Sequence, residues 1–145
     1  MSKVEEFLTK AEEGEIVEAI RLAEKNTSGE IRVHLEKKTS IATIDRAVEV
    51  FNQLNMDKTK ESNGVLIYVA VKSRQFAIYG DKGIYQKVGE DFWDSTKEIM
   101  LKHFKEGNNK VALVEGILKA GEQLKHFFPY ESDDIDELSN EISKG

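Results

Sequence analysis

Gly64-Val65-Leu66-Ile67-Tyr68-Val69-Ala70-Val71 is a glycine followed by an unbroken apolar, largely β-branched run. A strand with one face in water alternates polar and apolar residues, so a strand with no polar position needs cover on both faces. This run therefore belongs at the centre of a sheet with helices above and below it. The short connection Lys72-Ser73-Arg74 leads to Gln75-Phe76-Ala77-Ile78-Tyr79, which predicts an antiparallel hairpin.

Upstream, Ile31, Val33 and Leu35 alternate with Arg32, His34 and Glu36, the period of a half-buried strand over 30–37. Before it, Thr9-Lys10-Ala11-Glu12 reads as a capping box, and Ile16, Val17, Ile20 and Ala23 recur on one helical face until Asn26-Thr27-Ser28-Gly29 stops the helix. Between the strands, Ile44, Ala47, Val48, Phe51 and Leu54 mark a second amphipathic helix with Thr43 as its expected N-cap.

Downstream of Gly80-Asp81-Lys82-Gly83, one helical turn is expected over 84–88, then a long helix over 90–105 anchored by Phe92 and Trp93. A last helix over 110–128 carries Leu113, Ile117 and Leu124 on one face, with Gly116 and Gly121 permitting close approach to a neighbour. Pro129 ends it. Helices on both sides of the strands in sequence predict an α/β fold, a three-layer α/β/α sandwich around a small mixed sheet of about four strands. The domain is expected to span residues 1–129, followed by an acidic tail over 130–145.

The 145 residues include no cysteine, which excludes disulfides, thiolate metal sites and cysteine nucleophiles. Of the net charge of −6, the tail holds −5: six acids, Glu131 to Glu141, against Lys144. The remaining body is almost neutral and has no basic stripe, so a nucleic-acid partner is not expected. The first ten residues lack an apolar signal core, and the run over 65–71 is far short of the roughly 20 residues that span a bilayer. A cytoplasmic monomer without a membrane segment, with a protein partner left open, is the resulting expectation. Within the tail, Ile135, Leu138 and Ile142 share a helical face, so it reads either as a solvated, frayed terminus or as a weakly docked, partner-seeking helix.

Four pieces in order, Thr27-Ser28-Gly29-Glu30-Ile31-Arg32-Val33, Asn63-Gly64-Val65-Leu66-Ile67-Tyr68-Val69-Ala70, Arg74 with Phe76-Ala77-Ile78-Tyr79-Gly80-Asp81, and Phe92-Trp93, resemble the TPM domain family. That family includes thylakoid lumen proteins of photosystem II repair and many bacterial proteins. The resemblance covers about Phe7 to Pro129 and implies an α/β/α sandwich. It also implies one of three unsettled activities: divalent-cation binding, acid phosphatase activity, or a role in protein-complex assembly or repair.

Glu30 opens the first strand, Asp81 follows the third, and Glu90, Asp91 and Asp94 begin the next helix, where Asp91 and Asp94 share a face. If the first and third strands end at the same edge, these five carboxylates converge as a metal site. Oxygen ligands without thiolate or imidazole suit Ca²⁺, with Mg²⁺ as the second choice, and carbonyls near Gly80 and Gly83 are expected to complete the shell. Ordinary helix-dipole and turn chemistry explains each acid taken singly. Asp57, Glu61 and Asn63 are weaker candidates. The rival reading, a metal-assisted phosphatase, adds Arg74 or Lys82 to neutralise charge, but no catalytic nucleophile is identifiable. Asp134-Ile135-Asp136 imitates a phosphatase motif in the wrong context, and His34, His103 and His126 are scattered as structural histidines are. The third reading is a protein-interaction scaffold.

Overall fold

The computed structural model describes residues 3–130 and 139–145, except for the side chains of Lys3, Glu5 and Glu90. In chain order the helices are α1 (Lys3–Phe7), α2 (Lys10–Glu24), α3 (Thr43–Gln53), α4 (Lys82–Val88), α5 (Asp94–Lys105) and α6 (Asn109–Phe127). The strands are β1 (Glu30–Glu36), β2 (Gly64–Ala70), β3 (Gln75–Gly80) and β4 (Ser143–Lys144), in spatial order β3-β2-β1-β4. β1 runs parallel to β2 and to β4, while β2 and β3 form the antiparallel hairpin.

Every residue of β2 is buried, as its uninterrupted apolar run demands. One face of the sheet, carrying Ile31, Val33, Leu35, Val65, Ile67, Val69 and Ile78, packs against α2, α5 and α6 through Ile16, Ile20, Met100, Leu113, Ile117 and Leu124. The other face, carrying Leu66, Tyr68, Ala70 and Ala77, packs against Ala47, Val50 and Phe51 of α3 and against Met56. The result is a three-layer sandwich with a mixed four-strand sheet.

Local chemistry sets the helix ends. Thr9 and Glu12 form the reciprocal capping box at the start of α2. α3 begins after Ala42 with no side-chain cap; the Thr43 hydroxyl instead donates to Gln75 Oε1 across the layers at 2.7 Å. Gly116 and Gly121 do bring helices together. A β-carbon at Gly116 would run into the Met100 side chain of α5, and one at Gly121 would stand 2.9 Å from the Ala23 carbonyl oxygen of α2.

Two expectations change. β1 was expected to be half-buried, yet His34 is only 6% exposed, because the Tyr68 ring and the chain end at Ser143 and Gly145 cover it. Residues 139–145 are not frayed: β4 adds to the free edge of β1, Gly145 N–H donates to the Leu35 carbonyl at 2.9 Å, and Ile142 packs against the main core. The suggested helical stripe loses Ile142 to that core, while Ile135 and Leu138 lie outside the described residues. Among the described residues no helix is long and apolar enough to cross a membrane.

Candidate functional site

The strand register decides which acids meet. Because β1 and β2 are parallel and β3 antiparallel, the start of β1, the start of β2 and the end of β3 share one sheet end. Glu30 stands opposite Gly64, and the Asp81 N–H donates to the Gly64 carbonyl at 2.9 Å. Glu30, Gly64 and Asp81 thus form one row, with the two acids about 10 Å apart at their α-carbons, twice the strand spacing. They are the two buried acids among the described residues, 3% and 6% exposed.

The surrounding motif residues hold this row in place. Thr27 Oγ1 donates to the Phe128 carbonyl and accepts from Gly29 N–H at 3.1 Å, tying the end of α6 to the loop before β1. The buried Asn63 donates from Nδ2 to Ser28 Oγ at 3.2 Å, and its carbonyl accepts from Glu30 N–H. A side chain at Gly64 would stand 3.1 Å from the Met56 carbonyl oxygen, so the glycine leaves that oxygen close to the row. The Thr-Ser-Gly-Glu and Asn-Gly segments are therefore the joinery that fixes Glu30 beside Gly64.

Asp81 caps α4, its Oδ1 accepting from Lys82 N–H at 2.8 Å. Its Oδ2 is buried and has no hydrogen-bond partner among the described residues. The adjacent Tyr79 hydroxyl is pushed above its ordinary pKa, first by burial and then by the negative charge of Asp81. Gly83 serves packing: its N–H donates to the Ser62 carbonyl at 2.9 Å, and a β-carbon there would collide with the Glu61 and Ser62 carbonyls.

Asp91 and Asp94 do not join this row. Asp91 and Asp94 are exposed, around the 3₁₀ turn Glu90–Trp93 and the start of α5, and the side chain of Glu90 lies outside the described residues. Among the described residues no group of three or more His, Asp or Glu side chains is placed to hold a metal ion. Trp93 is why: its indole packs into the core beneath Gly80, and burying that large ring turns the acids on either side of it outward. Asp57 pairs with Lys58 at 3.7 Å and Glu61 is exposed, leaving Asn63 as the buried member of that loop set. Lys82 adjoins Asp81, whereas Arg74 sits at the far end of β3, roughly 20 Å away by strand rise.

A second polar cluster escaped the sequence reading. On the α3 face, Glu36 accepts from Arg46 Nε at 2.9 Å and Nη2 at 2.7 Å, and from the Tyr68 hydroxyl at 2.5 Å. The Arg46 bonds, with Tyr68 helping against desolvation, lower the Glu36 pKa to about 2, while burial and the same carboxylate raise that of Tyr68 well above its ordinary value. His34 stacks on Tyr68 and its Nδ1 meets Ser143 Oγ at 2.9 Å; burial depresses its pKa, opposed by Glu36. His103 and His126 lie on other helices, as scattered as their spacing implied.

Two buried acids in one row, fixed by loop glycines at the end of a sheet that helices cover on both faces, define an α/β/α sandwich with a polar end site. The chain belongs to the TPM domain family, whose model matches residues 1–123. It is 62% identical to the BA42 protein of the psychrophilic bacterium Bizionia argentinensis, whose NMR structure superposes with a TM-score of 0.92 over 100% of both chains. The N-terminal domain of a P. gingivalis protein shares the fold at 20% identity, with a TM-score of 0.70 over 84% of this chain and 79% of that one. Among curated proteins none matches.

Proposed function

We propose that this TPM domain is a binding module for a divalent cation, Ca²⁺ in preference to Mg²⁺, held at the Glu30–Gly64–Asp81 row. The observation that carries the reading is Asp81 Oδ2, a buried carboxylate oxygen without a hydrogen-bond partner among the described residues, in the same row as the buried Glu30. Leaving one oxygen of a buried carboxylate without a partner is costly, and a hard cation answers that cost directly. The donor chemistry fits: two carboxylates and the Met56 carbonyl beside Gly64 are oxygen ligands. Glu30 and Asp81 supply the charge, Asn63 and Thr27 fix the approach of Glu30, and Lys82 N–H keeps Asp81 turned inward. A set with few protein ligands and loop-borne oxygens suits the adaptable shell of Ca²⁺ better than the strict octahedron of Mg²⁺.

Isothermal titration of the chelator-treated full chain tests this. Saturable heat with millimolar Ca²⁺ is expected, abolished in Asp81→Asn and at least tenfold weaker in affinity in Glu30→Gln. No heat with Ca²⁺ or Mg²⁺, or heat unchanged in Asp81→Asn, overturns the proposal.

A further inference from the structure

At the opposite end of the sheet from Asp81, the turn between β2 and β3, the end of α5 and the end of α1 border a cavity of about 320 Å³. Its wall is aromatic: the Phe104 ring lies 5.1 Å from Phe76 and 6.5 Å from Phe7. Leu101 extends the apolar wall and is 45% exposed. Arg74 and Lys105 line the same cavity, and among the described residues no acidic side chain does. Neither cation makes an ion pair or side-chain hydrogen bond among the described residues. Arg74 is also held at φ 55, the left-handed region, which costs a residue with a side chain about 1–2 kcal/mol. The turn therefore carries a cation at a position where glycine would be relaxed.

Positive charge of one sign beside an apolar, aromatic wall is the complement of a small amphipathic anion. We propose that this cavity binds a small organic carboxylate with an aromatic or aliphatic body, which lies against Phe76 and Phe104 while its carboxylate sits between Arg74 and Lys105. Guanidinium and ammonium donors give charge-assisted hydrogen bonds to a carboxylate, and the Phe rings give it area to cover. The volume is near the lower end of the roughly 300–1,000 Å³ typical of ligand pockets, which limits the body to about one or two rings. This site is independent of the cation row, from which a whole strand length separates it.

The test is an NMR titration of the full chain with 1-naphthoate, with neutral 1-naphthalenemethanol as the comparison. Saturable shifts are expected at the amides of Phe76, Leu101 and Phe104, with affinity at least tenfold weaker for the alcohol. The same tenfold loss is expected for 1-naphthoate in the Arg74→Gln, Lys105→Gln double variant. Leu101→Glu, at an exposed position, should abolish binding while the spectrum stays dispersed. Shifts that do not saturate, shifts centred elsewhere, equal affinity for the alcohol, or undiminished binding by the double variant overturn the proposal.

Discussion

Replacing Glu36 by Gln keeps the side chain's size and one acceptor for Tyr68 but removes the charge that Arg46 grips with two hydrogen bonds. The Glu36 side chain is only 13% exposed, so solvent screens the pair weakly. A carboxyl held at about 2 against an ordinary 4.5 corresponds to roughly 3 kcal/mol of folding stability at neutral pH, at about 1.4 kcal/mol per tenfold change in proton affinity. Because the folded-state pKa is depressed, this contribution is present above pH 4.5 and is lost as pH falls toward 2. Arg46, 25% exposed and also bonded to Glu49, recovers part of its solvation in the variant, so the expected loss is about 2–3 kcal/mol. Urea denaturation of both proteins across pH 2 to 7 reads it directly. The gap should be widest above pH 5 and close on acidification. A gap below about 1 kcal/mol at pH 7, or one equally wide near pH 2, would refute the assignment of Glu36 as a charge-paired strut between β1 and α3.

Gly121→Ala places a methyl against the Ala23 carbonyl, which belongs to backbone and cannot swing aside, so a loss of about 1–3 kcal/mol is expected in the same urea assay. Thr27→Val keeps the shape but leaves the Phe128 carbonyl and Gly29 N–H without their shared hydroxyl; about 1–3 kcal/mol should be lost, and amide exchange at Gly29 should quicken. His34 is buried with its pKa depressed below 6.5, so the unfolded chain takes up the proton first: its contribution is whole above pH 6.5 and declines as pH falls below it. His34→Gln should flatten the stability profile between pH 6.5 and 5, and an unaltered slope there would contradict the burial argument.

The parts of this fold that hydrophobic period controls are legible in the chain. The apolar run of β2 demands two covering layers, and those layers are α3 on one side and α2, α5 and α6 on the other. The alternation of β1 is misleading for a reason contained in the same logic: if both faces of β2 are covered, the neighbouring polar face of β1 is covered too, and Arg32, His34 and Glu36 need partners there. Arg46 and Tyr68 supply them to Glu36 from two other elements, and no local spacing announces contacts across 10 and 32 residues. The return of residues 143–144 to the β1 edge is equally non-local: a two-residue strand has no period to read. At the candidate site, strand order puts Glu30 and Asp81 in one row with Gly64 between them. Asp91 and Asp94 flank Trp93, whose burial turns them to solvent, and a spacing rule for carboxylates ignores the bulky residue between them.

The most direct measurement of the cation reading is residue-resolved: NMR spectra of uniformly labelled full chain during titration with Ca²⁺. Binding at the row predicts saturable shifts centred on the amides of Glu30, Gly64 and Asp81, which vanish in Asp81→Asn. Shifts confined to the acid-rich stretch Glu131, Asp133, Asp134, Asp136 and Glu137, with those three amides unmoved, would show that the sheet end holds no ion.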